Sequence, residues 1–180
     1  LDYSKDSDYE AIAKAYEHTP VPADVMSESQ NVMVRLGELE LDKSAAEKEM
    51  NLRRPWGIFD KSQIDLLKTH GYTMRYYVVN RKAFSPEWSE LYPLEIISED
   101  KNNVWFVTIA RDNEEYSFPV ECTAAPEGCW KDTESKLEEI KSRIVEAKAM
   151  VLRCKDAIPQ FKENCNKELT DLDLYLAKAS

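Results

Sequence analysis

Glycine is scarce: the 180 residues contain 4, and even with 8 prolines the chain has few places to turn sharply. Set against 43% hydrophobic and 32% charged residues, that poverty favours long, solvated helices over a loop-rich fold. No apolar run approaches the roughly 20 residues that cross a bilayer. The opening Leu1-Asp2-Tyr3-Ser4 lacks the basic and apolar regions of a signal peptide, so the chain as given reads as soluble. Basic clusters are also missing. With 24 Lys+Arg against 34 Asp+Glu the formal net charge is −10, which disfavours a nucleic-acid or anionic-membrane surface.

The patterns of common catalytic and cofactor sites are equally absent. There is no GxxxxGK[ST] loop, GxGxxG turn, GxSxG elbow or HExxH helix. Cys122, Cys129, Cys154 and Cys165 follow neither CxxC nor zinc-knuckle spacing. Two of them fall on apolar helical positions, so they read as small buried hydrophobes in a reducing compartment. The two histidines, His18 and His70, each stand at a helix end, where a histidine meets the last carbonyls, and neither has a constellation to tune it. Glu99-Asp100 and Glu114-Glu115 lie in turn regions as solvated charge. The expectation is therefore a chain without catalytic residues, cofactor or metal.

What is present is helical periodicity. Leu137, Ile140, Ile144, Ala147, Val151, Cys154, Ile158, Phe161 and Cys165 step by three and four, and Leu169, Leu172 and Leu176 continue after one stutter. A weaker copy runs through Val25, Val32, Leu36, Leu39, Ala46 and Met50, with Ser29 and Lys43 as polar lapses. Before it, Tyr9, Ile12 and Tyr16 share one face of a short helix that Thr19-Pro20-Val21-Pro22 ends. The expected arm is helix, break, helix on the way out and one long helix on the way back. Pro22 and Pro159 would then lie at one height, which makes Pro20, Pro22 and Pro159 candidate hinges, and Leu1 would come close to Ser180.

Between these tracts the pattern shortens. Trp56 to Phe59 reads as a strand, and Asp60 caps a helix that ends at His70-Gly71. Tyr72 to Val79 reads as a strand from its aromatic and β-branched residues. Ser85-Pro86-Glu87 opens a short helix ending near Tyr92-Pro93. Leu94 to Ser98 and Val104 to Ala110 form a hairpin across Lys101-Asn102-Asn103. Val120 to Thr123 is a candidate fifth strand at the edge. The expected fold class is α+β: a long antiparallel two-helix coiled-coil arm capped by a small α/β lobe of order βαβαββ. The divisions fall at 1–51 for the ascending arm, 52–130 for the lobe and 131–180 for the returning arm. The lobe's aromatics Phe84, Trp88 and Tyr92 are candidates for a partner-binding surface, with core packing the competing role.

One stretch goes further. Pro55-Trp56-Gly57-Ile58-Phe59-Asp60, then Gly71-Tyr72, then Leu94 to Asp100 and Val104-Trp105-Phe106-Val107, set between helical tracts, resemble the cytoplasmic part of subunit I of bacterial and archaeal V-type (A/V-type) ATPases, the counterpart of the eukaryotic V-ATPase a subunit. The resemblance implies an excised portion of a membrane-anchored parent chain, lying at the cytoplasmic face of the membrane. It also implies a non-catalytic stator role in a proton- or sodium-translocating complex, with the lobe docking on the peripheral-stalk heterodimer. The alternative is a generic coiled-coil tether or scaffold arm with a protein-binding tip, unrelated to ATPases.

Overall fold

A computed structural model of the chain describes residues 2–179, and the side chains of these except 160–168, 171, 173, 175 and 179. Its elements are helices α1 (Tyr9–Glu17) and α2 (Val25–Arg53), a 3-10 turn (Arg54–Trp56), helix α3 (Lys61–Thr69), strand β1 (Tyr72–Asn80), helix α4 (Trp88–Leu91), strands β2 (Leu94–Glu99) and β3 (Asn103–Arg111), and helix α5 (Trp130–Ala179). Two compact units emerge: one from Leu1–Ser44 with Leu137–Ser180, the other from Ala45–Lys136.

The first unit is helical, and it corrects the expected arm. A two-helix coiled coil would carry α1 onward in line with α2. Instead Asp6 binds Lys148, while the Tyr16 hydroxyl donates to Asp156 and Arg153 donates to the Tyr16 carbonyl at 2.7 Å. Helix α1 thus runs alongside α5 in the same direction. The lengths agree, since nine helical residues rise about 14 Å and the stretch from Lys148 to Asp156 about 12 Å. Val25, at the start of α2, packs on Cys154 and Ala157, and α2 then runs the opposite way, bringing Glu40 into the field of Lys148. The chain therefore reverses at Thr19-Pro20-Val21-Pro22, where the prolines remove helical donors, and three helices share the packing.

The reason is an apolar stripe. Ile12 is fully buried, and a nine-residue helix with one such side chain gains more by covering the α5 seam than by standing in solvent. The seam it helps to cover is buried at Leu137, Ile140, Ile144, Ala147, Val151 and Cys154. Helix α5 continues through Pro159, so this proline interrupts neither the helix nor its assignment. The expected proximity of Leu1 to Ser180 lies outside the described residues, as do the side chains of Phe161 and Cys165.

The second unit holds an antiparallel three-stranded sheet of order β1-β3-β2, in place of the βαβαββ lobe. The expected strand at 56–59 is absent. Pro55 favours a 3-10 turn, Gly57 follows at φ 72°, and Ile58 is exposed, so the run never extends. The expected fifth strand is reduced to one bridge, Thr123 to Tyr76. Asp60 caps α3 by accepting from the Ser62 amide at 2.9 Å, and Gly71 leaves α3 for β1 at φ 84°, a left-handed conformation that suits a residue without Cβ.

One sheet face carries Tyr77, Val79, Val104 and Phe106, with Phe84, Trp88, Leu94, Tyr116, Phe118 and Val120 packed against them. Within it the Tyr116 hydroxyl bonds both Tyr77 and Thr108, the latter at 2.8 Å, and Arg75 stacks its guanidinium 3.9 Å from the Tyr116 ring. Burial pushes the Tyr77 phenol up, and its bond to Tyr116 pushes it the same way, so the Tyr77 hydroxyl stays protonated. Helix α3 packs on β1, and the 3-10 turn meets the sheet through Trp56 edge-on to Tyr76 at 5.4 Å and Ser98 donating to the Pro55 carbonyl at 2.5 Å.

Candidate docking surface

The aromatics singled out in the sequence converge on one place. Trp88 lies 5.4 Å from Phe84 and 5.2 Å from Phe118, Phe84 meets Phe106 at 5.4 Å, and Tyr92 meets Phe118 at 4.8 Å. These edge-on contacts bind α4 and its flanking loops to the sheet, and all three residues are half-buried. Their ring faces serve the core of the unit, with only margins left to solvent.

The exposed apolar surface lies beside them. Leu91, Ile96 and Ile97 are exposed, where α4 turns into β2. Strand β2 is an edge strand, paired with β3 alone. The Ile109 amide donates to the Pro93 carbonyl at 3.1 Å, which fixes the antiparallel alternation. Glu95 is then turned toward β3, and the backbone N–H and C=O of Ile96 point away from the sheet. A bulge between Ile96 and Ser98 bends the strand just beyond. Glu95 and Glu99 lie on this strand, and Glu87 and Glu90 at α4 just before it, all exposed, with Glu99 facing Arg81 at 4.0 Å. One signal for the surface was legible in Leu94-Glu95-Ile96-Ile97: two adjacent isoleucines cannot both face the core of a period-two strand.

The other expected residues are dispersed. Pro20 and Pro22 sit in the α1–α2 reversal and Pro159 inside α5. The His18 amide closes the end of α1 by donating to the Ala15 carbonyl at 3.1 Å, and a ring nitrogen of His70 donates to the Leu66 carbonyl at 2.8 Å. Cys129 and Cys154 are buried and Cys122 exposed.

The helical unit has an open cleft of about 830 Å³ floored by Ala15, Leu39, Ala147 and Met150. Its rim mixes Arg35 and Arg143 with Glu38, Asp42 and Glu146, a balance that selects no single ligand charge. Among the described residues no group of three or more His, Cys, Asp or Glu is placed to hold a metal ion, and no helix is long and apolar enough to cross a membrane. Comparison with protein-family models, curated proteins and solved structures finds no match.

Proposed function

We propose that this chain is a structural stator element of a proton- or sodium-translocating V-type ATPase, joining the membrane sector to the peripheral stalk through its sheet-bearing unit. The observation that carries the reading is where the residues of the resemblance go. Pro55-Trp56-Gly57, Gly71-Tyr72, Leu94 to Asp100 and Val104 to Val107 build the 3-10 turn, β1, β2 and β3 of one unit. They are tied to each other by the Ser98–Pro55 and Trp56–Tyr76 contacts. Residues remote in sequence thus form one framework, so what the resemblance covers is a fold and not a set of catalytic groups. The β2 edge supplies a docking surface in keeping with that role: exposed Leu91, Ile96 and Ile97 rimmed by carboxylates.

The test is a titration of the chain against the peripheral-stalk heterodimer of the same organism, followed by calorimetry. Saturable binding is expected, weakened at least tenfold by Ile97→Asp. No association at high micromolar concentration would replace this reading with that of a tether unrelated to ATPases.

A further inference from the structure

Helix α2 has two apolar faces, and its fold uses one. Val25, Val32 and Leu39, spaced by sevens, are buried in the helical unit. On the far side, Met26, Met33 and Leu41 recur at spacings of seven and eight, with Val34 beside them; these four are between 44% and 73% exposed. At 100° per residue this second stripe lies about 140° around the helix from the first. At its centre, four residues from both Met33 and Leu41, stands Gly37.

Gly37 is unexplained by the fold. It lies mid-helix with ordinary helical backbone, no positive φ, and nothing within 4 Å of the place a Cβ would occupy. A glycine there weakens the helix relative to alanine and gains nothing inside the chain. A missing side chain at the middle of an exposed apolar stripe is what a second helix needs in order to cross closely.

The charges say which helix. Glu38 and Glu40 border the stripe on its two sides around Gly37, Arg35 and Lys43 point to the other half of α2, and Lys48, in line with the stripe, lies about two turns beyond Leu41. Lys148, which feels the charge of Glu40, is already bound to Asp6. Two copies of this chain crossing at Gly37 would set carboxylate against carboxylate on molecules of net charge −10. We infer that the Met26–Met33–Gly37–Leu41 face of α2 docks a single amphipathic helix of another protein, whose apolar stripe is flanked by lysine or arginine. This surface is independent of the β2 edge and of the ATPase reading.

The probe is a synthetic amphipathic helix with a leucine stripe flanked by lysines, compared with a version carrying glutamates in their place. Both are titrated into the intact chain by fluorescence anisotropy. The lysine peptide is expected to saturate, and the glutamate peptide to bind at least tenfold more weakly. Gly37→Met should weaken the lysine peptide at least tenfold while raising the chain's own thermal midpoint by roughly 2–4 °C, opposite signs that a purely internal role cannot give. Leu41→Asp should abolish binding, and Leu172→Asp, on another exposed leucine, in α5, should leave it unchanged. Failure of the lysine peptide to saturate at high micromolar concentration overturns the inference. So does undiminished binding by Gly37→Met, loss through Leu172 instead of Leu41, or sedimentation showing a dimer of the chain that Leu41→Asp disperses.

Discussion

Replacing Ile12 by alanine tests the return of α1 along α5. Ile12 is 0% exposed and is the one buried residue of its helix. Alanine removes three carbons, which at about 0.8 kcal/mol each amounts to about 2.4 kcal/mol of lost transfer energy. A cavity of about 75 Å³ left unfilled would add about 1.8 kcal/mol at 24 cal/mol per Å³. Since α1 is short and tethered at one end by the proline turn, it can settle inward, and the expected cost is about 2.5–4 kcal/mol. Isolated helices of this length are marginal in water, so the loss should appear first as local opening. Hydrogen exchange of the α1 amides is expected to accelerate by two to three orders of magnitude. Urea melts of the whole chain should shift in midpoint. Val21→Ala, at an exposed residue of the turn, serves as control. A cost below about 1 kcal/mol, or unchanged α1 exchange, would refute the packing described here.

Three further outcomes are expected. The Asp6–Lys148 pair has side chains 17% and 14% exposed, so a double-mutant cycle of Asp6→Asn and Lys148→Met should give a coupling of about 1–2 kcal/mol; less than about 0.3 kcal/mol would mean an ordinary surface pair. The Lys148 hydrogen bond and the Asp8 amide hold the Asp6 carboxyl below its usual range, so its share is complete above about pH 4 and is lost as pH falls through the folded value. Burial opposes the charge on Lys148, but the bond to Asp6 and the charges of Asp6, Glu40 and Tyr3 outweigh it; its share is complete below about pH 10.4 and is lost as pH rises through its raised value. Gly71→Ala should cost about 1–2 kcal/mol in chemical denaturation from backbone strain alone, because φ is 84° and a Cβ would meet nothing within 4 Å; a neutral result would contradict that conformation. Pro159→Ala should raise helicity by circular dichroism and slow exchange around residue 159, given a helix preference of about 3 kcal/mol for alanine; a fall in helicity would place the proline at a true break.

Periodicity made the long helices legible because their buried faces repeat: Leu137 to Cys154 read as a seam whatever lies against it. It was silent on the covering partner. The same stripe on Tyr9, Ile12 and Tyr16 is compatible with α1 continuing outward or folding back, and the choice rests on contacts such as Tyr16–Asp156 across 140 positions. The hairpin of β2 and β3 was readable from alternation and its turn, whereas Trp56 to Phe59 looked like a strand because apolar runs do not display the Pro55 and Gly57 conformations that break them. As for the docking surface, aromatic character drew attention to Phe84, Trp88 and Tyr92, yet large rings pack inward readily. The exposed Leu91, Ile96 and Ile97 are set by sheet order, which local sequence does not encode. The second face of α2 was hidden behind the stronger, buried one.

The discontinuous make-up of the helical unit bears on how the chain comes off the ribosome. All of Ala45–Lys136 is synthesised before the segment Leu137–Ser180 that the helical unit also requires. At 5–20 residues per second those last residues take about 2–9 s to add. Through that interval the sheet can close on its own contacts, while Ile12, Val25 and Val32 wait without the helix that will bury them. Exposure of these side chains until α5 emerges is the cost of separating the two segments of one unit by the whole of another.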